Sequence, residues 1–202
     1  REWSFPADHG AHSEYQTEWW YYTGNLATGD GRRFGYQFTI FRRALTPEDT
    51  ESESEWRANQ AYMAHFTVTD VSGEHFYQAQ RFSRGAAGLA GAEAAPRYRV
   101  WLDDWAVEAQ DGKAIDTVLR ASTPEVAVDL VLAQAKPPAL QGERGLSPKS
   151  AEPGNASYYY SLSRLETSGT IRIGGADYQV SGASWMDHEY STSALGENAQ
   201  GW

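Results

Sequence analysis

The 202-residue sequence predicts an all-β fold, an antiparallel up-and-down barrel of about ten strands. Three observations predict it. Apolar and polar residues alternate at period two almost throughout, no long stretch follows the 3.6-residue period of a helix, and turn chemistry separates the alternating runs. A meander of this many strands must curl or close to hide its edges, which favours a barrel over the other solution, a two-sheet sandwich.

The elements follow in order. Residues 1–15 lack alternation and read as an N-terminal extension to a barrel over 16–190, with 191–202 as a C-terminal segment. Strands are expected near 16–27, 33–43, 60–71, 75–84, 98–109, 113–122, 124–134, 157–166, 169–174 and 177–188. Phe34, Tyr36, Phe38 and Ile40 share one strand face, as do Tyr62, Ala64, Phe66 and Val68, and then Val126, Val128, Leu130 and Leu132. Thr28-Gly29-Asp30-Gly31, Ser72-Gly73, Asp111-Gly112, Thr167-Ser168-Gly169 and Gly174-Gly175 supply the turns. Three stretches break the rhythm. Residues 46–55 form an acidic, solvated loop, and 85–96 are Gly/Ala-rich and read as a loop or a single helical turn. Residues 135–156 carry four prolines and three glycines, the mark of a lid, a binding loop or disorder.

Composition narrows the function. A formal net charge of −10 argues against nucleic acid and against docking on anionic membranes, since both call for clustered Lys and Arg. The absence of Cys removes disulfides, thiolate metal sites and thiol nucleophiles. No run approaches the ~18 apolar residues of a membrane span. Eight Trp and twelve Tyr are many for this length, and such rings line pockets for flat or apolar ligands.

The densest polar constellation is Trp185-Met186-Asp187-His188-Glu189-Tyr190. Alternation sets Trp185, Asp187 and Glu189 on one face and Met186, His188 and Tyr190 on the other. If the first face lines the barrel, burial among apolar groups would keep Asp187 protonated, as a general acid requires. Otherwise Asp187 caps a turn or binds backbone amides at the rim. In Glu18-Trp19-Trp20-Tyr21-Tyr22, the side chains of Glu18, Trp20 and Tyr22 share a face, either an inward set or a carboxylate at the strand entrance facing water. His9 and His12 fall in the extension, and His65 lies mid-strand, as a hydrogen-bonded barrel histidine or an acid–base partner. Three imidazoles and a carboxylate can build a metal site, but no His-x-His or HExxH pair is present, so no metal is expected. Gly182-Ala183-Ser184-Trp185 supplies only half of a serine-hydrolase elbow.

Several blocks carry a family resemblance: Trp3-Ser4-Phe5-Pro6-Ala7-Asp8-His9-Gly10, Glu18-Trp19-Trp20-Tyr21-Tyr22-Thr23-Gly24-Asn25-Leu26, Phe34 to Arg42, Ala156-Ser157-Tyr158-Tyr159-Tyr160-Ser161 and Trp185-Met186-Asp187-His188-Glu189. In that order they resemble the AttH-like group, which belongs with the carotenoid 1,2-hydratases, also called hydroxyneurosporene synthases. The resemblance implies a lipocalin-like (calycin) barrel, usually followed by a second barrel, which makes 191–202 the start of a linker. A second barrel or a homo-oligomer would then complete the site. It implies that water adds across an isoprenoid alkene with a carboxylic acid at Asp187 as proton donor, without metal or organic cofactor. The π faces of Trp20, Tyr22 or Trp185 would stabilise the carbocation and His65 or Glu18 would orient the water. Tyr36 and His188 complete the expected ligand-binding set. With the opening at Arg1 rather than Met, it also leads us to expect a removed leader and a periplasmic or secreted protein. Three readings stand at this point: a cofactor-free enzyme on an isoprenoid or polyene, a passive envelope carrier of an apolar ligand, and an interaction domain with a solid barrel.

Overall fold

The alternating runs become antiparallel strands in a computed structural model that describes residues 1–46, 58–110, 116–150 and 154–192. The strands are β1 (Thr17–Ala27), β2 (Arg33–Ala44), β3 (Gln60–Asp70), β4 (His75–Arg84), β5 (Ala90–Glu93), β6 (Arg99–Leu102) and β7 (Trp105–Ala109). They continue with β8 (Asp116–Ser122), β9 (Val126–Gln134), β10 (Ala139–Leu140), β11 (Leu146–Pro148), β12 (Ala156–Ile173) and β13 (Ala176–Ser191). A 3-10 turn at Ala7–His9 is the one helical element among the described residues.

Pairing runs β4-β3-β2-β1-β13-β12-β9-β8-β7-β6-β5, with β10 and β11 added to β12. The first and last long strands therefore lie side by side. The path ends at β4 and β5 without joining them, so the barrel is nearly closed. Across that seam Arg81 of β4 pairs with Asp104 and lays its guanidinium 4.1 Å from the Trp105 ring centroid.

The expected rows point inward: Phe34, Tyr36, Phe38 and Ile40, then Tyr62, Ala64, Phe66 and Val68, are all buried. Full burial of each large apolar side chain contributes about 1.5–3 kcal/mol, which makes these rows the main source of stability. Four stretches differ from expectation. The strand expected at 98–109 is two strands, because Asp103 takes the left-handed conformation (φ 54°) and reverses the chain between β6 and β7. The turn expected at Thr167-Ser168-Gly169 is absent, and β12 runs straight through it. Gly169 serves close approach instead, since a Cβ there would sit 2.1 Å from the Asp129 carbonyl oxygen of β9. The Gly/Ala-rich stretch contributes β5, and the proline-rich stretch contributes β10 and β11, which lie on β12. The acidic run beyond Thr46, the Asp111-Gly112 turn and residues 193–202 lie outside the described residues.

Candidate functional site

Two constellations emerge, one inside the barrel end and one on its outer surface. The inner one begins with Glu18 of β1, Arg42 of β2, Tyr160 of β12 and His188 of β13, all at inward positions and all within 1% of full burial. The segment before β1 folds over this end and adds Asp8, His9 and His12. Glu18 accepts from the His12 backbone N–H (2.9 Å) and from Arg42 Nε (2.9 Å) through Oε2, and from His12 Nδ1 and His188 Nε2 (2.8 Å each) through Oε1. Burial alone would raise the Glu18 carboxyl, but the His12 and His188 hydrogen bonds and the Arg42 charge pull it down to about 2.

Donor arithmetic orients the rest. Because a carboxylate only accepts, His188 donates from Nε2, its Nδ1 accepts the Tyr160 hydroxyl (3.0 Å), and the Tyr160 oxygen accepts from His9 Nδ1 (2.5 Å). Both imidazoles are neutral in this chain. Burial lowers His9 to about 4, helped by the nearby His188, and burial lowers His188 against the pull of Glu18. The far nitrogen of His12 faces Asp8 Oδ1 at 3.2 Å. Trp20 stacks on His188 (4.8 Å, 24°) and donates its indole N–H to the His9 carbonyl.

Ligand atoms of His12, Glu18 and His188 lie within 4.8 Å of one another, a set that could hold a metal ion. An ion there would have to break both imidazole–carboxylate bonds beside the Arg42 guanidinium, which already supplies the counter-charge. All four acceptor positions of Glu18 are taken, so it is a structural anchor here and has no lone pair with which to orient a water.

The remaining inward residues expected to bind ligand are core. Trp20 and Tyr36 are at most 2% exposed, and the Tyr36 hydroxyl donates to Ser184 Oγ (2.8 Å). That bond, and the one from Thr167 Oγ1 (2.7 Å), make the half-elbow Ser184 a buried strand serine. Tyr22 shares a hydrogen bond with Tyr98 (2.8 Å) beside a void of about 10 Å³, room for about one water. Side chains, not an open lumen, fill the barrel at these rings.

The outer constellation holds the other expected residues. Met186, His188 and Tyr190 take the inward positions of β13, so the face bearing Trp185 and Asp187 points away from the barrel. His65 is likewise outward on β3, between the buried Ala64 and Phe66. Register aligns them: Ser161, Asp187, Tyr21, Thr39, His65 and Gln80 form one row across β12, β13, β1, β2, β3 and β4. At about 4.8 Å per strand, the Asp187 and His65 backbones stand roughly 14 Å apart. No proton passes directly between them, but one ligand can span both. Asp187 Oδ1 accepts from Ser161 Oγ (2.5 Å) and Tyr159 Oη (3.0 Å), so its chemistry would work through Oδ2. Burial and the Asp187 charge push the Tyr159 phenol up to about 12. Beside this row an open groove of about 700 Å³ is lined by Tyr21, Gln37, Thr39, Phe41, His65 and neighbours on β3 and β4. Gln37 donates to the Tyr21 hydroxyl (2.9 Å), and His65 stands edge-on to Phe41 (5.5 Å). Trp185, 36% exposed, lies one row away, opposite Thr23.

Asp8, Arg42, Tyr98 and Tyr160 were not singled out, and His9 and His12 were weighed only as metal ligands. Arg42 had a signal, since alternation from Phe34 puts it inward beside Glu18 on the neighbouring strand. Asp8, His9 and His12 come from a segment without periodicity, and Tyr98 and Tyr160, although in expected strands, carried no feature that tied them to Glu18 or His188.

Residues 1–202 match the profile of the AttH-like family. The chain belongs to that family. A crystal structure from Nitrosomonas europaea, provisionally named for AttH, is 32% identical with a TM-score of 0.85 over 98% of this chain. Kievitone hydratase from Nectria haematococca has a TM-score of 0.65 over 89% of the chain at 10% identity, a likeness of fold alone. This AttH-like chain spans 58% and 49% of the lengths of those two proteins. No protein of curated function matches the sequence.

Proposed function

We propose that this AttH-like barrel works on its outer surface, holding an isoprenoid, polyene or other lipid-class ligand in the groove across β1, β2, β3 and β4, beside Asp187 of β13. The observation that carries the reading is the single row uniting Asp187, Tyr21, Thr39 and His65 beside a groove of about 700 Å³. That volume lies within the range of small-molecule sites. Phe41 and Tyr21 offer faces to an apolar body, while Gln37, Thr39, His65 and Gln80 offer hydrogen bonds to a polar group. The ligand is therefore amphipathic rather than a bare hydrocarbon. The chemistry we propose is acid-catalysed hydration without an organic cofactor, by analogy with the family resemblance and with a relative named as a hydratase. In its acid form Asp187 gives a proton through Oδ2 to one alkene carbon, Trp185 or Tyr21 faces the cation formed on the other, and a water beside the same carboxylate adds there and returns a proton to it, while His65, three strands away, holds the ligand's polar end. We place the protein in the periplasm or outside the cell.

The test uses a long-chain isoprenoid alcohol and an acyclic polyene in detergent micelles, with mass spectrometry for a product one water heavier. Turnover by the wild type and its loss in Asp187→Asn support the enzyme reading. Binding without product identifies a carrier, and full turnover in Asp187→Asn overturns the role of Asp187. One observation favours an interaction domain as the second reading. Among the described residues the inward rings pack into one buried cluster, while Phe76 and Phe82 on the same outer face are 54% and 67% exposed. Absence of binding to either probe would put that reading first.

A further inference from the structure

Segments that cap a barrel ordinarily bury apolar side chains fully, yet the segment before β1 packs its apolar side chains on the core only in part. Of residues 1–16, the buried ones are Asp8, His9, Gly10 and His12, so every buried side chain beyond glycine is ionisable. The apolar Trp3 and Phe5 are only partly buried, stacked on each other (5.9 Å) with Phe5 edge-on to Tyr160 (4.9 Å). Beneath His9 lies the void shared with Tyr22, Tyr98 and Met186. We infer that residues 1–11 are a releasable cover over a latent aromatic site in the barrel end, freed when His9 gains a proton and reoccupied by a flat aromatic ligand with one hydrogen-bonding atom, while His12 stays on Glu18 and Arg42 as the hinge. The cover's own Phe5 and His9 rings are the template for that ligand. Its walls would be Trp20, Tyr22, Tyr98 and Tyr160, with the Tyr160 hydroxyl and His188 Nδ1 as polar partners. This site is separate from the outer groove and does not depend on it.

The groups facing His9 explain why a proton releases it. Tyr160 of β12 and Tyr98 beside β6 offer neutral phenols, His188 of β13 lies behind Tyr160, and Asp8 is the nearby acid on its own segment. Glu18 is committed to His12, His188 and Arg42, so it does not neutralise a charge on His9. A charged His9 would also be a buried cation with neutral rings packed against it. Because burial lowers His9 to about 4 from 6.5, acid shifts the balance toward the open form by up to about tenfold per pH unit across that interval. The experiment titrates the full chain from pH 7 to 4 with 8-anilino-1-naphthalenesulfonate, alongside near-UV circular dichroism and hydrogen exchange. We expect dye fluorescence to rise at least about tenfold while near-UV dichroism is kept, with exchange protection lost in residues 1–11 before β1. His9→Gln, which keeps a hydrogen bond but cannot charge, should remove the rise. Dye uptake by His9→Gln over the same range, uptake that tracks loss of near-UV dichroism, or protection of 1–11 kept at pH 4 in the wild type would each overturn the inference.

Discussion

Glu18 and Asp187 carry the same functional group to opposite faces of adjacent strands, and their surroundings assign them different work. Glu18 is sealed among two imidazoles and a guanidinium, so Glu18→Gln would leave Arg42 buried without its counter-charge. Removing one partner of a buried pair costs about 3–5 kcal/mol, and we expect urea unfolding to show a loss of that order. Asp187→Asn still accepts from Ser161 and Tyr159 through Oδ1, so the same measurement should show a loss of only about 1 kcal/mol. His9 sets the acid limb of stability. Its folded value, about 4, lies below its ordinary 6.5, so protons favour the unfolded chain. Stability is then complete above pH 6.5 and falls by about 3 kcal/mol as the pH drops to 4. His188 adds to the slope in the same direction. Glu18, ordinarily 4.5 and held at about 2, stabilises above pH 4.5, and that contribution is lost as the pH falls from 4.5 through 2. Unfolding free energies measured from pH 7 to 4 should show a shallower slope in His9→Gln than in the wild type.

Among the elements, alternation was legible wherever one face was plainly apolar. The rows of Phe34 to Ile40, Tyr62 to Val68 and Val126 to Leu132 all point as their spacing says. Glu18, Trp20 and Tyr22 are inward too, although a carboxylate at the strand start left water as an alternative. The face of 185–190 was not legible, because Trp185, Asp187 and Glu189 alternate with Met186, His188 and Tyr190 and neither set is the apolar one. Long-range pairing decides it: Trp20 opposes His188 on β13, and Glu18 needs an imidazole donor. Glycine misled at Gly169, where the physical demand is close strand approach, not a turn. Gly169→Ala should cost about 3 kcal/mol by urea unfolding, since the new Cβ meets β9 backbone that cannot move aside. Gly29→Ala, with open space around it, should change stability by less than about 0.5 kcal/mol.

For the whole molecule, the barrel itself was legible and the location of its site was not. Repeated hairpins give the closure, but periodicity cannot say whether a barrel is hollow. Here the inward rings of β1, β2, β3 and β12 meet one another, and the candidate chemistry moves to the outer face. That face is formed by the one place in the topology where the two ends of the chain pair, β1 with β13. The residues gathered there, Tyr21 and Asp187, are far apart in sequence. The most direct test fills the groove from outside the core. Gln37→Trp places a ring over Tyr21 and His65 at an exposed position, and a fluorescence titration then measures binding of a long-chain isoprenoid alcohol beside the wild type. The account predicts at least about tenfold weaker binding with an unchanged unfolding midpoint, a difference of about 1.4 kcal/mol. Undiminished binding by Gln37→Trp would contradict it.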